Sequence, residues 1–237
     1  MLSVLVQQGY DVSFVEENRD DKLKLLKNRI KKFGLITVIN QLFFIVFSRL
    51  QLKRKKVNEQ LRCIESSAVK TVIELINTKY FTNVNSENAI EYVVKQSPDC
   101  IILSGTRILS ANFLACVKCP IINIHTGINP AYRGVYGGYW ALVNKQPELF
   151  GATIHLVDEG VDTGTVLRHS FVVPSVNDDF STYPLLQMSA ALRELPSLLI
   201  NLSKERQSVF IPNLPSAIWT HPTLTGYFFN RFKYGVK

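Results

Sequence analysis

The chain has 237 residues, of which 46% are hydrophobic and 19% are charged. This composition excludes a disordered, collagen-like or low-complexity chain, because those lack the apolar surface that offsets the entropy lost on ordering. At roughly 150 residues per domain, the length predicts one medium domain or one domain with an appended lobe. The formal net charge is +8, and nearly all of the excess lies in residues 1–62, which contain 13 basic and 6 acidic residues.

The N-terminal residues predict a helix that leads into a strand. Leu2–Gln8 is best interpreted as the end of a helix, and Tyr10–Val15 is predicted to be a strand. A doubly wound α/β fold normally begins with a strand. We therefore expect that the first strand of such a fold either lies upstream of Met1 or is absent.

A strongly basic stretch follows. Residues Asp20–Leu52 predict two helices that are broken near Gly34, and Lys22–Lys56 contains eleven basic residues and no acidic one. Such a run is typical of a solvated helix face. The alternative is an anionic partner, such as a nucleotide phosphate, RNA or an acidic membrane surface. We expect no nucleic acid, because few aromatic residues are positioned to stack on bases.

The apolar window Phe33–Ser48 within this stretch is interrupted by Thr37, Asn40 and Gln41. It is shorter than the roughly 18 to 20 residues that span a bilayer, so we interpret it as a buried or interface helix. A peripheral position in a membrane interface and an exposed face that forms a homodimer both stay open. The first ten residues lack the basic segment of a secretory signal.

Helices and short apolar strands alternate in the middle of the chain. The predicted elements are a serine-capped helix, a strand, a short helix and a second strand, over Ser86–Gln96, Cys100–Leu103, Ser110–Cys116 and Pro120–His125. Strand, helix and strand at this spacing imply a parallel sheet. Two strands, a long helix and a tail rich in turn residues are predicted after it, over Gly151–Val157, Thr165–Val173, Phe180–Leu202 and residues from Pro212 onward.

The cysteines do not form the dense pattern of a disulfide-stabilised protein. They are Cys63, Cys100, Cys116 and Cys119, of which the last two form a lone CxxC pair. Without a second pair or a histidine at ligand spacing, zinc and redox chemistry are not favoured. We expect packing cysteines in a reducing, cytoplasmic environment.

Two polar side chains lie at the end of the predicted strand Pro120–His125. Asn123 and His125 are two residues apart, so both lie on one face at the carboxyl end of the strand. Open α/β sheets bind their ligands at this edge. Such a pair, followed by the loop Thr126–Pro130, suits the stabilisation of a developing oxyanion. A purely structural role for the pair is the alternative.

A second polar cluster lies in His155–Gly164, where Asp158, Glu159 and Asp162 follow a histidine between two predicted strands. Carboxylate oxygens can hold Ca²⁺ or Mg²⁺, but the spacing does not fit an EF-hand loop. We therefore expect no metal. His155 is interpreted as a strand histidine with satisfied hydrogen bonds, and a catalytic role is the alternative.

Three linked segments resemble a known family. They are Arg107–Ser110, then Asn123–His125 with Pro130–Gly134, and finally Asp158–Gly164. Their order and spacing are similar to those of the N10-formyltetrahydrofolate-dependent formyltransferases, which include glycinamide ribonucleotide, methionyl-tRNA and nucleotide-sugar formyltransferases. A weaker resemblance extends over residues 10–175.

The resemblance implies an α/β, Rossmann-like formyltransferase fold with a mostly parallel sheet. Residues 1–175 would form the catalytic domain, and residues 176–237 a C-terminal helix and aromatic tail. It also implies that Asn123, His125 and Asp162 are catalytic and that N10-formyltetrahydrofolate is the co-substrate. Asn123 and a protonated His125 would stabilise the oxyanion formed when an amine attacks the formyl carbon. Asp162 would hold His125 in its charged form and relay the amine proton.

The resemblance also implies binding residues. Backbone groups would line the pterin pocket at Arg107, Ile108, Leu109, Val157 and Asp158. The acceptor would be bound by Tyr132, Arg133, Gly134, Tyr136 and Trp140. The alternative for the aromatic residues is a core at the start of a helix. The loop Thr126–Pro130 departs from the usual pattern of the family, which leaves its contacts open.

The glycine- and aromatic-rich segment Gly134–Trp140 looks like the variant found in formyltransferases of bacterial surface-polysaccharide synthesis. It favours a nucleotide-activated deoxyamino sugar as acceptor. The residues after Val173 are too few for the additional C-terminal β-barrel of methionyl-tRNA formyltransferases, which disfavours tRNA. The main alternative is a phosphoribosylglycinamide formyltransferase of purine synthesis. A non-catalytic folate-binding relative and a hydrolytic deformylase are less favoured.

Overall fold

The computed structural model describes residues 1–18, 22–54, 78–204 and 212–237. Its helices, in chain order, are α1 (Leu2–Gln7), α2 (Lys22–Phe33), α3 (Leu35–Arg54), α4 (Glu87–Gln96), α5 (Ala111–Cys116), α6 (Gly137–Val143), α7 (Tyr183–Ser203) and α8 (Leu224–Tyr234). Its strands are β1 (Phe14–Glu17), β2 (Thr78–Phe81), β3 (Ile101–Leu103), β4 (Ile121–His125), β5 (Arg133–Gly134), β6 (Gly151–Leu156), β7 (Val166–Phe171) and β8 (Ile218–Trp219).

The main sheet contains four strands in the order β3-β4-β6-β7. Strands β3 and β4 are parallel, whereas β6 is antiparallel to both β4 and β7. The pairs β1-β2 and β5-β8 are parallel and form two separate small sheets. Three of the five described pairings are therefore parallel, and the α/β fold class expected from the sequence is confirmed.

Strand β4 separates the hydrophobic core from the polar site by the alternation of its side chains. Ile122 and Ile124 belong to a buried cluster with Leu195 and Leu198 of α7. Ile121 belongs to a different cluster, together with Phe113 of α5. Because residues two apart share a face, Asn123 and His125 lie on the side of Ile121, away from α7.

Helix α7 lies beyond residue 175, the expected end of the catalytic domain. It nevertheless packs on the main sheet, since Leu195 and Leu198 share a fully buried cluster with Ile154 of β6. The segment after residue 175 thus contributes to the same core as the strands before it.

The N-terminal strand differs in position from the prediction. Strand β1 covers Phe14–Glu17 rather than Tyr10–Val15. Its partner β2 supplies only four residues, and the register begins with Phe14 opposite Thr78. Upstream of it, Gly9 adopts a positive φ of 80° in the turn that follows α1. A strand needs a neighbour for its backbone groups, so pairing with β2 sets the observed ends.

The tail also differs from the prediction, which gave only turns and an aromatic end. Strand β8 pairs with β5, and α8 follows it. The Thr223 side chain caps this helix by accepting the backbone N–H of Gly226 at 3.0 Å, and Gly235 ends it with a φ of 70°. By contrast, the two basic helices broken near Gly34 are confirmed as α2 and α3. No helix in the described ranges is long and apolar enough to cross a membrane.

Candidate active site

The carboxylate of Asp162 lies at the centre of a polar cluster above the end of β4. Its Oδ1 accepts a hydrogen bond from Asn123 Nδ2 at 3.3 Å, and its Oδ2 lies 3.4 Å from His125 Nδ1. The backbone N–H of Gly134 donates to the same Oδ2 at 3.0 Å. The structure thus brings together the three residues that the sequence singled out as catalytic.

The loop between β6 and β7 holds Asp162 in an uncommon conformation. Its φ is 52°, in the left-handed region that few residues other than glycine occupy. Within the same loop, Asp158 Oδ1 accepts the Thr163 hydroxyl at 2.6 Å and the backbone N–H of Gly160 at 3.0 Å. Such local strain persists where surrounding contacts fix the backbone, which is common at functional sites.

His125 is buried and has both ring nitrogens engaged. Its Nε2 lies 2.7 Å from the carbonyl oxygen of Tyr132, so Nε2 carries a hydrogen and donates it. The adjacent Gly127 leaves room for this contact. A Cβ at Gly127 would lie 2.2 Å from the Tyr132 oxygen and 2.5 Å from His125 Nε2. The backbone of the 126–132 loop therefore fixes the ring and directs Nδ1 toward Asp162.

His155 joins this cluster, a position that the sequence interpretation as a strand histidine did not include. Strands β4 and β6 place His155 directly opposite Asn123. Its Nδ1 donates to the carbonyl of Leu156 at 2.7 Å, so Nε2 is left to accept from Asn123 Nδ2 at 3.3 Å. Its Nε2 also lies 3.6 Å from Asp162 Oδ1. The sequence did not predict this contact, because it depends on the antiparallel register of β4 and β6.

Burial controls the protonation of His125. Desolvation lowers the pKa of His125 below its ordinary value, although the charge of Asp162 and the bond to Tyr132 oppose this. In the free protein, burial therefore favours the neutral ring, and the role of Asp162 in holding His125 in its charged form during the reaction stays a prediction. Burial alone would raise the pKa of Asp162, but its interactions with the imidazoles of His155 and His125 and the N–H of Gly134 lower it. Asp162 is thus an ionised acceptor.

The two segments expected to bind the pterin follow strands β3 and β6 in the chain. These strands lie on either side of β4. Arg107 is anchored by Glu17, whose carboxylate accepts both its backbone N–H at 2.9 Å and its guanidinium. The carbonyl of Ile108 accepts Asn85 Nδ2 at 2.9 Å, and the Leu109 side chain is buried.

On the β6 side, the N–H of Val157 donates to the carbonyl of Ile121 at 2.8 Å, and the carboxylate of Asp158 is used within its own loop. The side chains of Arg107, Leu109 and Asp158 thus maintain the protein's own structure. The Ile108 side chain, by contrast, is exposed. Glu17, which orders the first of these segments, was not identified from the sequence.

The aromatic residues expected to bind an acceptor pack within the protein. Tyr132 is 1% exposed, and its hydroxyl is bonded to Asn144 and Gln146. Trp140 stacks on Trp219 with ring centroids 4.9 Å apart. Strand β8 brings Trp219 over these rings, so the Tyr132 side chain is enclosed by the protein, and its role in acceptor binding stays a prediction.

Tyr136 packs edge-on against Phe44 at 5.6 Å, as expected for the alternative of an aromatic core. Arg133 and Gly134, by contrast, border the polar cluster. Arg133 Nη1 donates to the carbonyl of Val161 at 3.4 Å, next to Asp162 in the chain. Arg133 and Gly134 thus contact this loop and its carboxylate, whereas Tyr132 contacts the cluster through its backbone carbonyl.

Within the described ranges, no group of three or more His, Cys, Asp or Glu side chains is arranged to hold a metal ion. The described cysteines Cys100, Cys116 and Cys119 are free thiols, and Cys63 lies outside the described residues. Burial raises the pKa of the Cys100 thiol to about 12, which keeps it protonated.

Comparison with known proteins identifies the same region. GDP-perosamine N-formyltransferase of Brucella melitensis is 29% identical over 138 residues, which cover 56% of this chain and 52% of that protein. The chain thus spans about half the length of this curated relative. Methionyl-tRNA and phosphoribosylglycinamide formyltransferases also match.

Two solved structures share the fold. A sugar N-formyltransferase from a Shewanella species has a TM-score of 0.53 at 16% identity, covering 87% of this chain and 75% of its own. The formyltransferase PseJ from Anoxybacillus kamchatkensis has a TM-score of 0.51 at 18% identity, covering 65% and 81%. A family model described as "Formyl transferase" matches residues 50–183, which are more than half of the chain. With Asn123, His125 and Asp162 all inside that match, the chain belongs to the formyl transferase family.

Proposed function

We propose that this protein transfers the formyl group of N10-formyltetrahydrofolate to the primary amine of a nucleotide-activated deoxyamino sugar. The convergence of Asn123, His125 and Gly134 on the Asp162 carboxylate carries the proposal. The cluster combines an amide donor, an imidazole and an ionised carboxylate, the groups that acyl transfer to an amine requires. Asn123, His125 and Asp162 are proposed as the catalytic residues.

The residues present fit the folate co-substrate. The segments Arg107–Leu109 and Val157–Asp158 follow β3 and β6, the two strands that flank β4, which supports a folate pocket on both sides of Asn123 and His125. N10-formyltetrahydrofolate supplies an electrophilic formyl carbon when it is bound. The structure of PseJ contains tetrahydrofolate and a UDP-linked formamido sugar, which supports the same pair of ligands here. We propose a metal-independent reaction, because Asp162, Asn123 and His125 supply the acceptor and donor groups that this acyl transfer needs.

The site residues divide the proton and charge transfers between them. Asn123 Nδ2 carries two hydrogens, which are bonded to Asp162 and His155, and it would redirect one of them to the oxygen that gains charge when the amine attacks. Because His125 Nε2 carries the hydrogen bonded to Tyr132, Nδ1 is the ring atom that can take up a further proton. Asp162, ionised and 3.4 Å from Nδ1, accepts the amine proton and passes it to Nδ1. The imidazolium then gives this proton to the folate nitrogen N10 as the bond between N10 and the formyl carbon breaks, which leaves His125 neutral and Asp162 ionised again. His155 orients the Asn123 amide by accepting from Nδ2.

The acceptor class is supported by the relative that is named for GDP-perosamine. We infer that Arg133 and the backbone of Gly134, rather than the buried aromatic rings, border the acceptor amine. The product would serve bacterial surface-polysaccharide synthesis. The free thiols of the described cysteines favour a reducing cytoplasm as the location.

A mass-spectrometric assay tests this function. Purified full-length protein is incubated with N10-formyltetrahydrofolate and, separately, with dTDP- and GDP-linked amino sugars, glycinamide ribonucleotide and methionyl-tRNA. We expect one sugar nucleotide to gain the mass of one CO unit, and Asn123→Ala to abolish the gain. Formylation of glycinamide ribonucleotide or methionyl-tRNA alone would overturn the sugar assignment. Release of formate without any acceptor product would indicate a hydrolase.

A further inference from the structure

We propose that the outer face of helices α3 and α8 binds the surface of an anionic lipid bilayer. Helix α3 is apolar on two opposite sides. Val38 and Phe44 are fully buried on the inner side. The other side exposes a run of large apolar residues at helical spacing, namely Leu35, Ile36, Ile39, Leu42, Phe43, Val46 and Leu50. A helix that is apolar all round is normally covered on all sides.

Helix α8 extends this exposed side. Asn40 and Thr225 exchange hydrogen bonds, the amide donating to the hydroxyl at 3.0 Å and the Thr225 N–H to the amide oxygen at 3.1 Å. The rings of Phe47 and Phe228 lie 5.7 Å apart. Next along α8, Phe229 is exposed, and Phe232 is 85% exposed. We call the exposed residues of α3 together with Phe228, Phe229 and Phe232 the apolar outer face.

The two segments that form the apolar outer face contain only basic charged side chains. No Asp or Glu occurs in residues 22–56 or in residues 206–237, which include both helices. Exposed basic residues lie on α2, α3 and α8, namely Lys27, Lys31, Lys32, Arg49 and Lys233. The Lys233 ammonium lies 5.1 Å from the centre of the Phe229 ring, so charge and apolar surface adjoin.

This combination fits an anionic lipid surface better than a second copy of the chain. Two identical faces would bring lysines against lysines, with no carboxylate in either segment to pair them. A bilayer offers both an apolar boundary for Phe43 and Phe232 and phosphate charges for the lysines. Helices with one exposed apolar side and flanking Lys and Arg residues lie in the plane of such an interface. The absence of a spanning helix in the described ranges is compatible with this position.

Vesicle flotation of the full-length protein tests the proposal. Vesicles of phosphatidylcholine alone are compared with vesicles containing phosphatidylglycerol, in physiological salt. We expect binding to the anionic vesicles only. Ile36→Glu with Phe43→Glu should abolish it. Val173→Glu with Tyr80→Glu, which changes two exposed residues outside both helices, should leave it intact.

A second pair of variants tests the charge. Each lysine near an anionic surface contributes about fivefold in partitioning, so Lys31→Gln with Lys32→Gln should weaken binding about 25-fold. Lys95→Gln with Lys204→Gln, also exposed, is the matched control. Circular dichroism and the thermal midpoint establish that each variant folds.

Three results would overturn the proposal. Equal binding to neutral vesicles would remove the charge argument. A concentration-dependent dimer that Phe43→Glu dissociates, without vesicle binding, would assign the face to a second copy. No vesicle binding, with Ile36→Glu and Phe43→Glu lowering the thermal midpoint, would show that the face is covered inside the protein.

Discussion

Gly134 donates its backbone N–H to Asp162 while its own strand, β5, pairs with the C-terminal strand β8. Gly134 has a φ of 96°, and a Cβ there would lie 2.2 Å from the carbonyl oxygen of Trp219. Strand β8 of the tail therefore contacts Gly134 directly, and Gly134 orients the proposed catalytic carboxylate of Asp162. Mutations in the tail should alter chemistry as well as stability.

Removing the carboxylate of Asp162 tests its proposed role. Asn tolerates the left-handed backbone of this position, so Asp162→Asn should fold normally. We expect turnover to fall by about a hundredfold or more, with folate binding retained, because a proton acceptor is lost. Steady-state kinetics and titration with a folate analogue measure the two effects. Asp99→Asn on the surface is the control, and equal turnover in Asp162→Asn would exclude a catalytic role.

Trp219→Ala should loosen the contact between tail and site. Its ring stacks on both Trp140 and Tyr132, and its Nε1 donates to the carbonyl of Ala131 at 2.9 Å. We expect a loss of about 3 kcal/mol in the free energy of unfolding and a lower kcat, because Gly134 loses its support. Trp219→Phe keeps a ring in place and should be milder in both denaturant unfolding and kcat. An unchanged kcat in a destabilised Trp219→Ala would separate the tail from the chemistry.

Gly127→Ala should break the bond between His125 and Tyr132. The added methyl would overlap His125 Nε2 and the Tyr132 carbonyl, so the ring must move. We expect a marked loss of kcat together with a clear loss of stability, because the backbone carbonyl of Tyr132 must move as well as the ring. Gly105→Ala is the comparison, because its new Cβ meets nothing within 4 Å and its cost, about 1 kcal/mol, comes only from the positive φ of Gly105. Normal activity in Gly127→Ala would mean that the position of the ring is unimportant.

His221 should make stability depend on pH. Burial and the charge of Arg29 lower the pKa of His221 to about 4, from an ordinary value of 6.5. Between these values the unfolded chain binds a proton that the folded chain does not, so the free energy of unfolding falls as the pH drops from 6.5 to about 4. His221→Gln should reduce this slope in urea unfolding measured at several pH values. An unchanged slope would show that other groups cause it.

Chelators should leave the reaction unaffected. The polar cluster consists of one carboxylate, one amide and two histidines already bonded to each other or to backbone carbonyls. We expect the rate of formyl transfer to be the same before and after dialysis against EDTA. A loss that Mg²⁺ or Zn²⁺ restores would contradict the proposed metal-independent mechanism.

The sequence predicted the elements whose signals are local. The break at Gly34, the Ser110 cap and the strand that carries Asn123 and His125 all depend on residues within one turn or one strand. The ends of β1 depend instead on β2, which lies 60 residues further along the chain. The cap residues Thr223 and Gly235 were readable signals for α8, but the aromatic run between them obscured the helix.

The part of the site that lies in recognisable motifs could be predicted from the sequence. Asn123, His125 and Asp162 could be identified because they occur in recognisable segments, and the structure places them together. The protonation of His125 could not be predicted, because it depends on burial that only the folded chain creates. The packing of Tyr132 against Trp219 likewise depends on a pairing between residues more than 80 positions apart.

Two hydrogen bonds join Asn40 and Thr225, which are 185 positions apart in the chain. Tyr227 of α8 covers Phe44 on the inner side of α3. Phe44 therefore becomes fully buried only after nearly the whole chain has been synthesised. During translation, α3 leaves the ribosome long before its partner and presents both apolar sides to the solvent. Chaperone capture of nascent chains should therefore begin at this helix and end when α8 docks.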